Sequence, residues 1–294
     1  MKMKKFVYLL TAAMIFASTS AQAADWPFFK NNPQRTGSSE ANNPAQISGK
    51  IEWTVQTSQR IHSSPTVYKN KIYYGTKDGT LNAIDLNTGN PVWTFSETDN
   101  WLVSSPAAVN GRIYIGGYDT NLYCFNAENG DLMWQFTTSN SIQSSPAVDS
   151  DTVYFGSDDG FVYAVSVDIG WEKWKFETDS AVTGSPVVAD GVVYIGNRTG
   201  KLFAINAKTG KLIWRAGVGS SITSAPAVVN GHLYFTSLDG KLYCARIKHQ
   251  AVIWRYDSGA QIETSPLVMN GKVIIGDISG KVSAVDALSG TEVW

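Results

Sequence analysis

Seven tryptophans recur along the chain at near-constant spacing. Trp53, Trp93, Trp134, Trp174, Trp214, Trp254 and Trp294 are separated by 40 residues at every step but one, which is 41. A column of prolines keeps the same step: Pro65, Pro106, Pro146, Pro186, Pro226 and Pro266. A period near 40 that carries several short strands is the signature of an all-β propeller, in which each unit is one small antiparallel sheet. The repeat also sorts the residues. One that returns in every unit is architecture, and one that breaks the pattern is a candidate for function.

One unit shows the plan. Ser145 to Val148 begins a strand, Asp149 to Asp151 makes a turn, and Thr152 to Ser157 forms a second strand. Asp159-Gly160 is a hairpin signal, followed by a third strand over Phe161 to Val165. Val167 to Gly170 turns the chain into a fourth strand from Trp171 to Phe176. The hairpin position is glycine in every unit except one, where Thr120 stands. A four-stranded sheet cannot hide both its faces, so radial stacking lets each sheet cover the next. The tryptophans fill the seams between sheets. Burying an indole of roughly 200 Å² at about 25 cal/mol/Å² gives an upper limit of about 5 kcal/mol per seam.

The first 23 residues read as a secretory signal peptide. Lys2, Lys4 and Lys5 precede an apolar run from Phe6 to Ala17, and Ala21-Gln22-Ala23 offers a small-x-small cleavage site. The run is too short to span a bilayer. Cleavage near Ala23 predicts a periplasmic or secreted protein, with a lead-in over 24–49 and the propeller over 50–294. The signal holds three of the 24 basic residues, which leaves 21 against 25 acidic ones and a formal charge of −4. That balance argues against nucleic acid or an anionic membrane as partner. No cysteine near the cleavage site offers a lipid anchor, and the reading is of a monomer.

Two cysteines remain, Cys124 and Cys244, in the same column three units apart. Disulfide-bonded α-carbons lie within roughly 7 Å, so the repeat predicts two separate buried thiols.

The segment from Ala83 through Asp85, Thr88 and Gly89 to Trp93 resembles the tryptophan-docking motif of pyrroloquinoline-quinone-like (PQQ-like) propellers. Ala204 to Trp214 and Ala284 to Trp294 are similar, and Asp25-Trp26-Pro27 through Gly37 resembles the family's mature N-terminus. In the family the docking Trp is structural, and the resemblance carries that role to all seven tryptophans here. The unit from Cys244 to Trp254 lacks the acid and the turn glycine, so its last turn is expected to be distorted. Six proline-led strand triplets face seven Trp strands, since Lys50 to Val55 adds one before the first triplet. Either the ring closes with about six blades and a spare strand, or the sequence is clipped from a seven- or eight-bladed ring. The missing polar tail after Trp294 favours clipping.

Chemistry is sought where the pattern breaks. The links between blades and the hairpins joining second and third strands share one rim and vary from unit to unit. Arg60, His62, Lys77, Trp101 and Tyr118 form the most distinctive group there, and seam packing does not call for Trp101. An aromatic beside cations on a rim suits partner binding. The bland alternative is a Trp folded over its own loop. His62, His232 and His249 are not at metal-ligand spacing, and Asp158-Asp159 lacks the spacing of a calcium loop. Asn197-Arg198-Thr199 reads as an ordinary hairpin. No nucleophilic triad and no phosphate-cradling loop stands out, because the serines before proline recur in blade after blade.

Two functional classes remain. The first is a non-catalytic protein-binding or scaffold module of the cell envelope, without cofactor, and the resemblance implies outer-membrane-assembly propellers as relatives. The second is a PQQ- and calcium-dependent quinoprotein dehydrogenase acting on alcohols or sugars. Family dehydrogenases carry adjacent cysteines and long insertions, and this chain has neither.

Overall fold

The computed structural model of the protein describes residues 51–98 and 100–294. The signal segment 1–23, its cleavage point, the lead-in 24–49 and the Asp25–Gly37 motif lie outside the described residues. Six antiparallel sheets follow one another along the chain. Five have four strands in sequential order, and the sixth, over 267–286, has three. The five complete blades span 66–95, 107–137, 147–177, 187–217 and 227–257. In blade 3 the strands are Ala147–Asp149, Thr152–Gly156, Phe161–Ser166 and Glu172–Glu177, within two residues of the expected bounds. The innermost strand of each blade touches that of the next, so the sheets stack side by side around an axis.

The apolar core lies between blades rather than within them. One cluster joins Tyr114, Leu122, Cys124 and Trp134 of blade 2 to Val153, Phe155 and Val165 of blade 3, and the pattern repeats at successive seams. The indoles close each seam at its outer edge. Trp134 donates its ring N–H to Val167 O at 3.0 Å, Trp174 to Ala207 O at 2.8 Å, and Trp93 to Ala127 O at 3.1 Å. Each ring lies flat on the glycine of that turn. A Cβ on Gly170 would stand 2.6 Å from Trp134, and the residue also needs φ +70°. Both demands exclude a side chain there. Within its own sheet each Trp pairs with a small residue, Ala83, Cys124, Ala164, Ala204 or Cys244. The cysteines therefore serve as alanine substitutes, and both are free and buried.

A second belt runs near the axis. Ser105 Oγ accepts the N–H of Ser64, Ser145 Oγ that of Ser105, and Ser185 Oγ that of Ser145, each at 2.9 Å. The serines before proline thus link blades in series. This explains their recurrence without invoking catalysis.

The unit ending at Trp254 is irregular as expected. Its last turn is a short 3-10 helix, Ile247–His249, closed by Gln250 in the left-handed region. One expectation is corrected. No strand forms over 51–55; the segment is irregular, although Trp53 still docks, with its N–H on Leu86 O at 3.1 Å and its ring against Gly89. The indole docks through its ring and one hydrogen bond, and a strand is not required for that. Trp294 is the other exception. It is 58% exposed, because no blade follows the sixth among the described residues. Val282 of that blade is 56% exposed, whereas its equivalents Leu81, Leu122, Val162, Leu202 and Leu242 are fully buried.

Two outcomes follow for stability. Trp134→Ala lowers the unfolding free energy by about 3–5 kcal/mol, while Trp294→Ala changes it by less than about 0.5 kcal/mol, as measured by urea unfolding. Thr120 holds φ +73°, a conformation β-branched residues avoid. Thr120→Gly is therefore stabilising by about 1 kcal/mol and raises the melting temperature.

Candidate functional site

The meander puts two loop types on one rim, and a backbone hydrogen bond ties them together in each blade. Lys77 N–H donates to Arg60 O at 3.0 Å, Tyr118 N–H to Trp101 O at 2.9 Å, and Asp158 N–H to Ser141 O at 2.9 Å. These bonds hold the loops rigid while leaving side chains free to differ. Asp119, Asp159 and Asp239 play an identical part in three hairpins. Each caps the N–H two residues on and accepts the hydroxyl of Tyr123, Tyr163 or Tyr243. They are turn chemistry. Asp78 does related work, and the Thr76 hydroxyl beside it holds its carboxyl below the usual range. Asn197 is likewise a hairpin cap, fully buried and accepting from Thr199 and Lys201.

The residues singled out on the rim come together around Trp101. The Lys77 ammonium sits 3.7 Å from the Trp101 ring centroid, a cation–π contact between neighbouring blades. Tyr118 meets the same indole edge-on, with centroids 5.5 Å apart at 62°. Trp101 remains 39% exposed between them. His62, Trp101 and Tyr118 line a cleft of about 280 Å³ together with Val103 and Gln143. Arg60 joins through its main chain, and its side chain is exposed and outside the cleft lining.

Gln143 was not singled out by pattern alone. It donates to Asp158 Oδ2 at 2.6 Å, and the other oxygen of Asp158 is buried without a hydrogen-bond partner. Asp158 and Asp159 look alike in sequence, yet only Asp159 has the turn role. The distinguishing signal was present: Asp158 shares a column with Lys77 and Tyr118, and that column varies from blade to blade.

Among the described residues, no group of three or more His, Cys, Asp or Glu is placed to hold a metal ion. The residues present do not fit a pyrroloquinoline quinone site of the dehydrogenase kind, since Cys124 and Cys244 stand in blades 2 and 5, each buried opposite an indole.

Four-stranded blades joined by docked indoles define a β-propeller of the PQQ-like class. The chain belongs to the family whose model is described as outer membrane protein assembly factor BamB, which matches residues 43–108, 98–225 and 213–294. Solved structures share the fold at low identity. BamB from Moraxella catarrhalis superposes with a TM-score of 0.72 at 17% identity, covering 82% of this chain and 78% of that one. The computationally designed Ika8 protein gives 0.70 at 18% identity, covering 76% and 70%. Quinohemoprotein alcohol dehydrogenase ADHIIG from Pseudomonas putida HK5 gives 0.71 at 16% identity, covering 80% of this chain and 58% of the enzyme. No curated protein sequence matches the chain.

Burial pushes both thiols up to about 12, so at pH 8 they are protonated and unreactive in the folded protein. Iodoacetamide at that pH is expected to leave the native protein unlabelled and to modify both cysteines once guanidinium unfolds it, as counted by mass spectrometry.

Proposed function

We propose that the protein is a non-catalytic, protein-binding scaffold of the cell envelope, and that the rim over the first three blades receives its partner. One observation carries the reading. Trp101 stands outside the column of docking tryptophans, and it is held half-exposed by Lys77 and Tyr118 beside an open cleft. A rigid, partly exposed aromatic anchor beside a cation is the composition of an interface hot spot. The bonds that fix Lys77, Tyr118 and Trp101 through their main chains prepay part of the ordering cost of binding.

Membership of a family described by outer-membrane assembly supports an envelope partner, and the signal-like first 23 residues support export to the periplasm or beyond. No helix among the described residues is long and apolar enough to cross a membrane. The redox role of the quinohemoprotein neighbour is not carried over, because the cysteine placement does not suit it.

The test is affinity capture from envelope extracts with cross-linking, followed by titration of the captured protein. Trp101→Ala is expected to weaken that binding by at least about tenfold while leaving the unfolding midpoint unchanged. Unchanged affinity removes the rim from the proposal. Stoichiometric uptake of PQQ with Ca²⁺, accompanied by dye-linked dehydrogenase activity, overturns the non-catalytic reading as a whole.

A further inference from the structure

The rim opposite Trp101 carries grooves at several seams, and the groove between blades 5 and 6 is walled mainly by apolar side chains. At these seams the first residue of a second strand faces the last turn of the next blade. Between blades 1 and 2 the facing residues are Lys71 and Glu128, which form an ion pair at 2.8 Å. Between blades 2 and 3 they are Arg112 and Asp168, paired at 2.7 Å. The groove between blades 3 and 4, of about 570 Å³, is lined by charge, including Asp151, Lys173, Asp190 and Lys208. Between blades 5 and 6 the same two positions hold His232 and Leu288. No salt link closes that groove, and a cleft of about 610 Å³ opens there.

Its walls are mainly apolar. Val229, Val268, Met269 and Leu288 line it, with Met269 42% and Leu288 74% exposed. The His232 ring stacks on Tyr234 at 6.3 Å and 27°. The Tyr234 hydroxyl is already committed to Ala287 O at 3.0 Å. The hydrogen bonding of His232 fixes its tautomer. Nδ1 lies 3.0 Å from Asn230 O, and a carbonyl only accepts, so Nδ1 carries the proton. In the neutral ring Nε2 is then a bare acceptor, and it is buried without a partner. An unpaired acceptor in an apolar cleft calls for a donor brought by a ligand.

We propose that this cleft binds a small apolar molecule carrying one hydroxyl donor, of the phenol or hydrophobic alcohol class, with the hydroxyl on His232 Nε2 and the apolar body against Met269, Val268 and Leu288. An apolar pocket with one placed polar group is the usual form of a small-molecule site. The acceptor discriminates by chemistry, because a hydrocarbon of the same shape leaves Nε2 unpaired while a carboxylate meets a lone pair. The site is independent of the Trp101 rim, so neither proposal depends on the other.

Titration calorimetry and ligand-observed NMR with p-cresol, toluene and benzoate test it on the full chain. The native protein is expected to bind p-cresol about tenfold more tightly than toluene, the effect of one buried hydrogen bond. His232→Phe keeps the ring and removes the acceptor, so p-cresol should fall to the level of toluene while toluene binding persists. That persistence shows the variant is folded with its cleft intact. Leu288→Glu restores the acid found at the first seams' equivalent turns, and should weaken both ligands. Equal affinity for p-cresol and toluene, undiminished p-cresol binding by His232→Phe, preference for benzoate, or no binding of any probe at millimolar concentration each overturns the proposal.

Discussion

The contact between an indole and the glycine of the next blade is the interaction on which the rest of the structure depends. It supplies apolar burial and a stop that sets the spacing between sheets, and at Trp53, Trp93, Trp134 and Trp174 it adds a hydrogen bond from the ring N–H to a turn carbonyl, which Trp254 lacks. Each part constrains a different residue. The ring is tryptophan, the turn beneath it presents glycine at positive φ except in blade 5, where Gln250 takes that conformation, and the sheet behind it presents Ala or Cys. A repeat with these demands tolerates little change where blades meet. It leaves the loops above and below free, since they touch only their own hydrogen-bonding partners.

The serine belt near the axis complements the indoles at the edge. The serine links join blades 1 to 4 and blades 5 to 6, with Ala225 interrupting them between blades 4 and 5, and together with the docked indoles they hold neighbouring blades at two radii. Function then falls to residues that the frame does not use. Trp101 and Asp158 on one rim and His232 on the other share this property. Each stands at a position that varies among the blades, and each has a hydrogen-bonding or aromatic surface that the frame leaves incompletely satisfied.

Much of this was legible in the chain. The spacing of seven tryptophans yields the blades, and the turn over Cys244 to Trp254 is irregular for the reason its composition implies, with Gln250 taking the place a glycine would hold. The grouping of Lys77, Trp101 and Tyr118 was also accessible, because loop columns on one rim can be aligned by eye. The limits are equally specific. Lys50 to Val55 looked like a strand because its Trp matches the others, yet an indole can dock from irregular backbone. Asp158 was grouped with Asp159 because neighbours in a hairpin look equivalent until their oxygens are followed.

Periodicity, together with four strand signals per unit, determined the architecture, since near-identical 40-residue sheets bury each other's faces when they stack in series. It also determined which residues are structural, through their recurrence. The tertiary structure alone decided where polar atoms go unpaired. His232 differs from Lys71 and Arg112 by a substitution that any alignment of the repeats displays. That its facing residue is Leu288, some fifty positions later in the chain, follows from how two blades meet. Hydrogen bonds and clefts are formed between residues distant in sequence, and their satisfaction depends on distances that no linear pattern encodes.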